Sequence, residues 1–245
     1  MKGDLANMNE TIWKGFRRID FEFEGRETIV VFPKKANNQK NWLFKMEYFE
    51  AFQDFELEMV NRGWHLVYIK NITRWCLDDD LDLKKRFADY LIKKYDLHNK
   101  CVPVGMSCGG LIGVKFTAKY PEYVSSIYLD APVMNLLSCP AGLGKAGDDM
   151  LEEFISATGI DISKLICYRE HPIDKMGILL EKRIPIILVY GDLDDVVPYD
   201  ENGAILEEFY KNNNGTIVSI GKKGCGHHPH GLEDNTPIID FVEKY

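Results

Sequence analysis

No stretch of this 245-residue chain holds the roughly 20 consecutive apolar residues that a membrane helix requires. The opening "MKGDLANMNETIWKGF" also lacks an apolar core of signal-peptide length. The expectation is a cytoplasmic protein with no membrane partner. Basic charge is in short supply, with 30 Lys and Arg against 38 Asp and Glu, a formal charge of −8 and a pI near 5.3. Nucleic-acid binding needs a concentrated basic surface, so that class of partner is not expected. The basic spots Lys34-Lys35, Lys84-Lys85-Arg86 and Lys222-Lys223 are short and far apart, as solvated faces are. No C-x-x-C pair occurs among the six cysteines, and their scatter reads as reduced thiols rather than a disulfide framework. Serine is scarce as well. There are seven, and none in the first 106 residues.

What is present is an alternation of strand and helix patterns. "RRIDFEFEG" (17–25) and "ETIVVFP" (27–33) read as a hairpin leading into a buried strand. "EYFEAFQDFELEMVNRG" (47–63) carries apolar residues at helical spacing and ends on Gly63. Strands follow at 64–70, 100–106, 125–133, 184–191 and 215–221, with helices at 78–97, 108–120, 201–212 and 237–245. Strands that are almost wholly apolar, each followed by a helix, indicate a mostly parallel sheet covered on both faces. The chain therefore reads as one α/β domain over 1–245, with 134–182 as a helical insertion that is either a lid or a long connection.

The first serine stands in "VPVGMSCGGLIG" (102–113), where a strand gives way to a helix. Gly105-Met106-Ser107-Cys108-Gly109 fits G-x-S-x-G in the strand-to-helix context that the pattern requires. A turn this sharp holds one hydroxyl in the open, with the free N–H groups of a helix start behind it. A serine hydroxyl is a weak nucleophile without a base, and the base needs an acid to orient it. Acids follow the strand at 184–191, where Asp192, Asp194 and Asp195 compete. Histidines follow the last strand, where His227, His228 and His230 make up half of all histidines in the chain. The Gly-x-Gly-His run points to His227, leaving His228 and His230 to support the loop or line a pocket.

An oxyanion needs two donors. One is expected from the backbone N–H of Cys108, and the other from the loop "VVFPKKANNQ", through the backbone of Lys34 or Lys35. Cys108 is off the apex of the turn, which disfavours it as the nucleophile itself. A metal site is the rival reading of the histidine cluster. Adjacent His227 and His228, stiffened by Pro229 and without a second ligand cluster, argue against it, so no metal or cofactor is expected.

Three segments carry a resemblance: "GMSCGGLIGVKFTAKYPEYVSSIYLDAPV", "IPIILVYGDLDDVVPYDEN" and "GCGHHPHGLEDNTPIIDF". They resemble the α/β-hydrolase superfamily, and within it a bacterial group in which GMSxGGL, DAPV, GxGHHPHxL and an early W-x-x-[RK] recur. The last of these is met here by Trp42 to Lys45. The likeness covers roughly residues 28 to 245, and departs from the group at Cys108, where arginine is common, and at Cys139, where tryptophan precedes proline. It implies an α/β-hydrolase fold and a triad of Ser107, Asp194 and His227, the acid being chosen by G-x-x-D-x-x-V-P. Members of the group are assigned to esterases acting on plant or host glycans. The implied activity is hydrolysis of a small-molecule carboxylic ester through an acyl-enzyme. Trp42, Lys45 and His228 are the residues offered for substrate binding. A peptidase or thioesterase on the same triad, and a non-catalytic binding protein of the same fold, are the alternatives.

Overall fold

Strand polarity decides what this sheet can do, and the computed structural model, which describes residues 8–245, gives it directly. Strands β1 (Asn9–Trp13), β2 (Phe16–Phe23) and β3 (Arg26–Phe32) form an antiparallel meander. β4 (Trp42–Lys45), β5 (His65–Ile69), β6 (Val102–Met106), β7 (Ile127–Asp130), β8 (Ile186–Gly191) and β9 (Ile217–Lys222) run parallel to one another. The order is β1-β2-β3-β5-β4-β6-β7-β8-β9, with β3 antiparallel to β5. β4, β5, β6 and β7 are buried along their whole length, which explains their nearly continuous apolar sequence.

Helices cover both faces. Helix α1 (Asp54–Asn61) and the C-terminal helix α8 (Thr236–Lys244) cover one face, with Phe55, Met59, Val60, Ile238, Ile239 and Val242 packed on Leu66, Val104 and Tyr128. Helices α2 (Asp78–Tyr95), α3 (Cys108–Lys119) and α7 (Gly203–Asn212) cover the other. Segment 134–182 contributes α4 (Leu151–Thr158), α5 (Ile162–Cys167) and α6 (Met176–Glu181), and no strand. It is anchored in the core by Met134, Leu136, Phe154, Leu165 and Leu179. Asn202 accepts the N–H groups of both Met134 and Asn135 at 3.0 Å, tying the start of the segment to the end of the sheet that carries the serine turn.

Two early elements differ from the sequence pattern. Trp42–Lys45 is a strand with neighbours on both sides, a short apolar run whose period does not distinguish strand from helix. The helix expected over 47–63 begins only at Asp54. Residues 46–53 form a loop in which Tyr48 and Phe52 take positive φ, at 54° and 48°. That loop leaves the carboxyl end of β4 beside the serine turn.

Candidate active site

The serine turn is strained in the way its glycines require. Ser107 has φ 52° and ψ −120°, a conformation non-glycine residues seldom adopt. A Cβ on Gly105 would meet the Gly109 carbonyl oxygen at 2.6 Å, and one on Gly110 would meet Pro132 Cβ at 2.4 Å. Strand, helix and the chain after β7 therefore approach too closely for any side chain there. The Ser107 carbonyl accepts the N–H groups of Gly110 (2.9 Å) and Val133 (3.1 Å), while its own N–H donates to the Asp130 carbonyl at 3.0 Å. Every backbone group of the strained residue has a partner, which fixes the turn and leaves Oγ as its open atom.

His227 Nε2 stands 3.1 Å from that Oγ, and His227 Nδ1 stands 2.7 Å from Asp194 Oδ2. Asp194 and His227 are each 8% exposed. The other carboxylate oxygen of Asp194 accepts the N–H groups of Val196 (3.0 Å) and Val197 (2.8 Å), so its orientation is set by the turn after β8. A carboxylate on Nδ1 fixes the tautomer with its proton there, leaving Nε2 as the acceptor that faces the serine. The two competing acids are exposed. Asp192 accepts the Gly224 N–H at 2.6 Å, bracing the turn that leads to the histidine loop.

The cluster holds more than Ser107, Asp194 and His227. His230 Nδ1 stands 2.8 Å from Asp130 Oδ1, and Asp130 Oδ2 accepts the Gly231 N–H (2.7 Å) and the Tyr128 hydroxyl (3.0 Å). Exposed His228 stacks on Phe52, with ring centroids 5.3 Å apart and planes at 17°, at the mouth of the site. Burial, with His227 and His230 close by, lowers the pKa of His228 below its ordinary value. One ring nitrogen from each of His227, His228 and His230 lies within 4.8 Å of the others, so the stiff Pro229 run brings the three rings together rather than apart.

The Cys108 thiol is buried, and burial pushes its pKa up to about 11. It stays protonated and unreactive at neutral pH, while the Cys108 N–H sits at the helix start beside Ser107. Burial and the nearby Cys108 thiol raise the pKa of the Tyr48 hydroxyl, with Arg74 close by opposing the shift. Arg74 donates through Nε and Nη2, one edge of its guanidinium, to both carboxylate oxygens of Glu153 in α4, which also accepts the Trp75 indole N–H at 3.0 Å. The insertion thus reaches the neighbourhood of Ser107 through one acid.

Strand polarity and burial overturn four expectations drawn from the sequence. Lys34 and Lys35 follow β3, which runs antiparallel to β5 with Val31 opposite Leu66, so they lie at the opposite edge of the sheet from Ser107. Neither can donate to an oxyanion there. The loop that follows a parallel strand into the site is the one after β4. In it the Glu47 N–H makes no hydrogen bond among the described residues, and Glu47 N lies 3.4 Å from where a Cβ on Gly109 would be. The sequence signal for this loop is the short apolar run Trp42–Lys45, which points to it only as a parallel strand. Trp42 is fully buried in that strand and donates its indole N–H to the His98 carbonyl at 2.8 Å, so it lines no pocket. Lys45 is 1% exposed in an ion pair with Glu56, with Nζ also 3.3 Å from Met106 Sδ, and cannot meet a substrate.

No family model matches this sequence, and no curated relative matches it. Solved structures do. An acylaminoacyl peptidase from Pyrococcus horikoshii superposes with a TM-score of 0.68 at 13% identity, over 91% of this chain and 38% of that one. A dipeptidyl peptidase 4 from Porphyromonas gingivalis gives 0.65 at 13% identity, over 97% and 34%. A puromycin-hydrolyzing peptidase from Mycobacterium tuberculosis gives 0.64 at 12% identity, over 83% and 34%. The chain has the α/β-hydrolase fold. It spans only 34 to 38% of the length of these structures, so the likeness speaks for the fold and not for their activities. Within this fold the site lies at the carboxyl edge of the parallel strands, where β6, β7, β8 and β9 deliver Ser107, Asp130, Asp194 and His227. No described helix is long and apolar enough to cross a membrane.

Proposed function

We propose that the chain is a serine hydrolase that cleaves a carboxylic ester through an acyl-enzyme. The observation that carries this reading is the unbroken chain from Asp194 through His227 to Ser107 Oγ, at 2.7 and 3.1 Å. His227 Nε2 takes the hydroxyl proton as Oγ attacks the carbonyl, and returns it to the leaving alcohol. Asp194 holds the tautomer and stabilises the imidazolium. Water activated by the same nitrogen then releases the acid. The Cys108 N–H is one oxyanion donor, and the Glu47 N–H from the loop after β4, unpartnered among the described residues, is the other. His228 and Phe52 form one wall for the substrate, and segment 134–182 acts as a cap reaching the site through Glu153. The resemblance to glycan-directed esterases supports an acylated sugar or similar small molecule.

A peptidase is the second reading, because the three superposed structures carry that description in their names. Both readings use one nucleophile and part at the leaving group. Hydrolysis of p-nitrophenyl acyl esters and acetylated sugars is to be measured against aminoacyl and acylaminoacyl anilides, with Ser107→Ala run in parallel. Ester turnover that falls about 10⁶-fold in the variant supports the first reading. Serine-dependent turnover confined to the anilides moves the assignment to the second, and no turnover of either by folded enzyme removes both.

A further inference from the structure

His227, His228 and His230 form a nearly equilateral triangle, with ring centroids 4.8, 5.0 and 5.0 Å apart. Zinc binds imidazole nitrogen at about 2.0–2.1 Å with tetrahedral angles, which puts the ring centroids of three ligands about 5 Å from one another. The centroid triangle matches a three-histidine site, while one nitrogen from each ring lies within 4.8 Å of the other two, so the rings must draw these nitrogens in to about 3.4 Å to hold the ion. Nδ1 of His227 and Nδ1 of His230 are both held by buried carboxylates, Asp194 and Asp130. That pairing is how proteins orient an imidazole as a metal ligand and strengthen its other nitrogen as a donor. His230 is 8% exposed, and its Nε2 has no hydrogen bond among the described residues. His228 completes the set from the solvent side, on a loop braced by a Lys222 ammonium that donates to the Pro229 carbonyl.

We propose that these three histidines form a binding site for a divalent transition-metal ion, Zn²⁺ in the first instance, and that its occupation switches the hydrolase off. The ion takes the Nε2 lone pair that His227 otherwise offers to the Ser107 hydroxyl. The Ser107 O–H then keeps its proton and loses its base. Neutral imidazoles bind without releasing a proton, and the fourth position of the ion is left to water. The switch rests on the reading of His227 as the base of a serine hydrolase; the binding site itself does not.

Two measurements separate these claims. Zinc binding is followed by titration calorimetry on wild type, Ser107→Ala, His228→Ala, His230→Gln and Cys225→Ser, with thermal melts to check folding. One ion per chain is expected, bound at least as tightly by Ser107→Ala and about a hundredfold or more weaker in His228→Ala, a change at an exposed side chain. Affinity that is unchanged in both histidine variants, or lost in Cys225→Ser, places the ion elsewhere and overturns the site. In the second measurement, fluorophosphonate labelling of wild type is timed with zinc, without it, and after chelator. Labelling slowed by zinc and restored by chelator supports the switch. Labelling unchanged at saturating zinc, or zinc-dependent ester turnover by Ser107→Ala, overturns it. Should wild type fail to label without zinc, the serine-hydrolase reading fails and the switch falls with it, while calorimetry still decides the site.

Discussion

Two histidines three residues apart make nearly the same bond. His227 Nδ1 meets Asp194 at 2.7 Å and His230 Nδ1 meets Asp130 at 2.8 Å, and all four residues are buried. They part at the other ring nitrogen. His227 Nε2 faces Ser107 Oγ at 3.1 Å, whereas His230 Nε2 faces no hydroxyl among the described residues. Their acids differ too. Asp194 is held by two N–H groups of its own turn. Asp130 gathers the Gly231 N–H and the Tyr128 hydroxyl and so ties the histidine loop to the sheet. What distinguishes the two histidine–carboxylate pairs is the third partner, the Ser107 hydroxyl, on which the proposed catalytic role of His227 rests.

The comparison is sharpest in the acids. Asp194→Asn is expected to lower ester turnover about 10⁴-fold with little loss of stability, because the imidazole would be held in the wrong tautomer. Asp130→Asn is expected to do the reverse, costing about 1–3 kcal/mol in urea unfolding for its buried donors while turnover per folded molecule stays within about tenfold. Equal kinetic losses in the two would erase the distinction.

Lys45 and Glu56 extend it to an ion pair closed to solvent, whose ammonium also meets Met106 Sδ and the Ala51 carbonyl. Lys45→Met strands the Glu56 carboxylate and should cost about 3–5 kcal/mol, while Lys45→Met with Glu56→Gln should recover much of that. Urea unfolding of the two variants checks this, and a rise in KM with unchanged stability would return Lys45 to substrate binding.

His65 supplies the opposite control, a buried histidine with no carboxylate. Its Nδ1 makes no hydrogen bond, and burial lowers its pKa from 6.5 to about 4. The unfolded chain then binds the proton more readily than the folded one. The stability this neutral ring contributes is complete above pH 6.5 and is lost as pH falls toward 4, by up to about 3 kcal/mol. Denaturant unfolding of wild type and His65→Phe across that range should show the variant gaining on wild type by about this amount as pH falls. Parallel curves would show that His65 titrates normally.

The site is legible where chemistry and sequence run together. The strand, the strained turn and its glycines lie within a dozen residues, and the three histidines within four, so Ser107 and His227 stand out without any knowledge of the fold. Asp194 needs the resemblance to choose it from three acids, and only its burial and contact with His227 separate it from Asp192 and Asp195. What stays hidden depends on strand direction. Nothing local in "VVFPKKANNQ" says that β3 runs against β5, so the sequence places Lys34 and Lys35 at the wrong edge of the sheet. Four buried residues at Trp42–Lys45 look the same as strand or helix. The role of Asp130 is equally unreadable, since its partner lies 100 residues away in the chain.

The most direct test of an activated Ser107 is intact-mass spectrometry after incubation with a fluorophosphonate, on wild type and Ser107→Ala. One adduct per chain on wild type and none on the variant is the predicted result. An adduct that persists in Ser107→Ala, or no adduct on folded, metal-free wild type, would contradict the account.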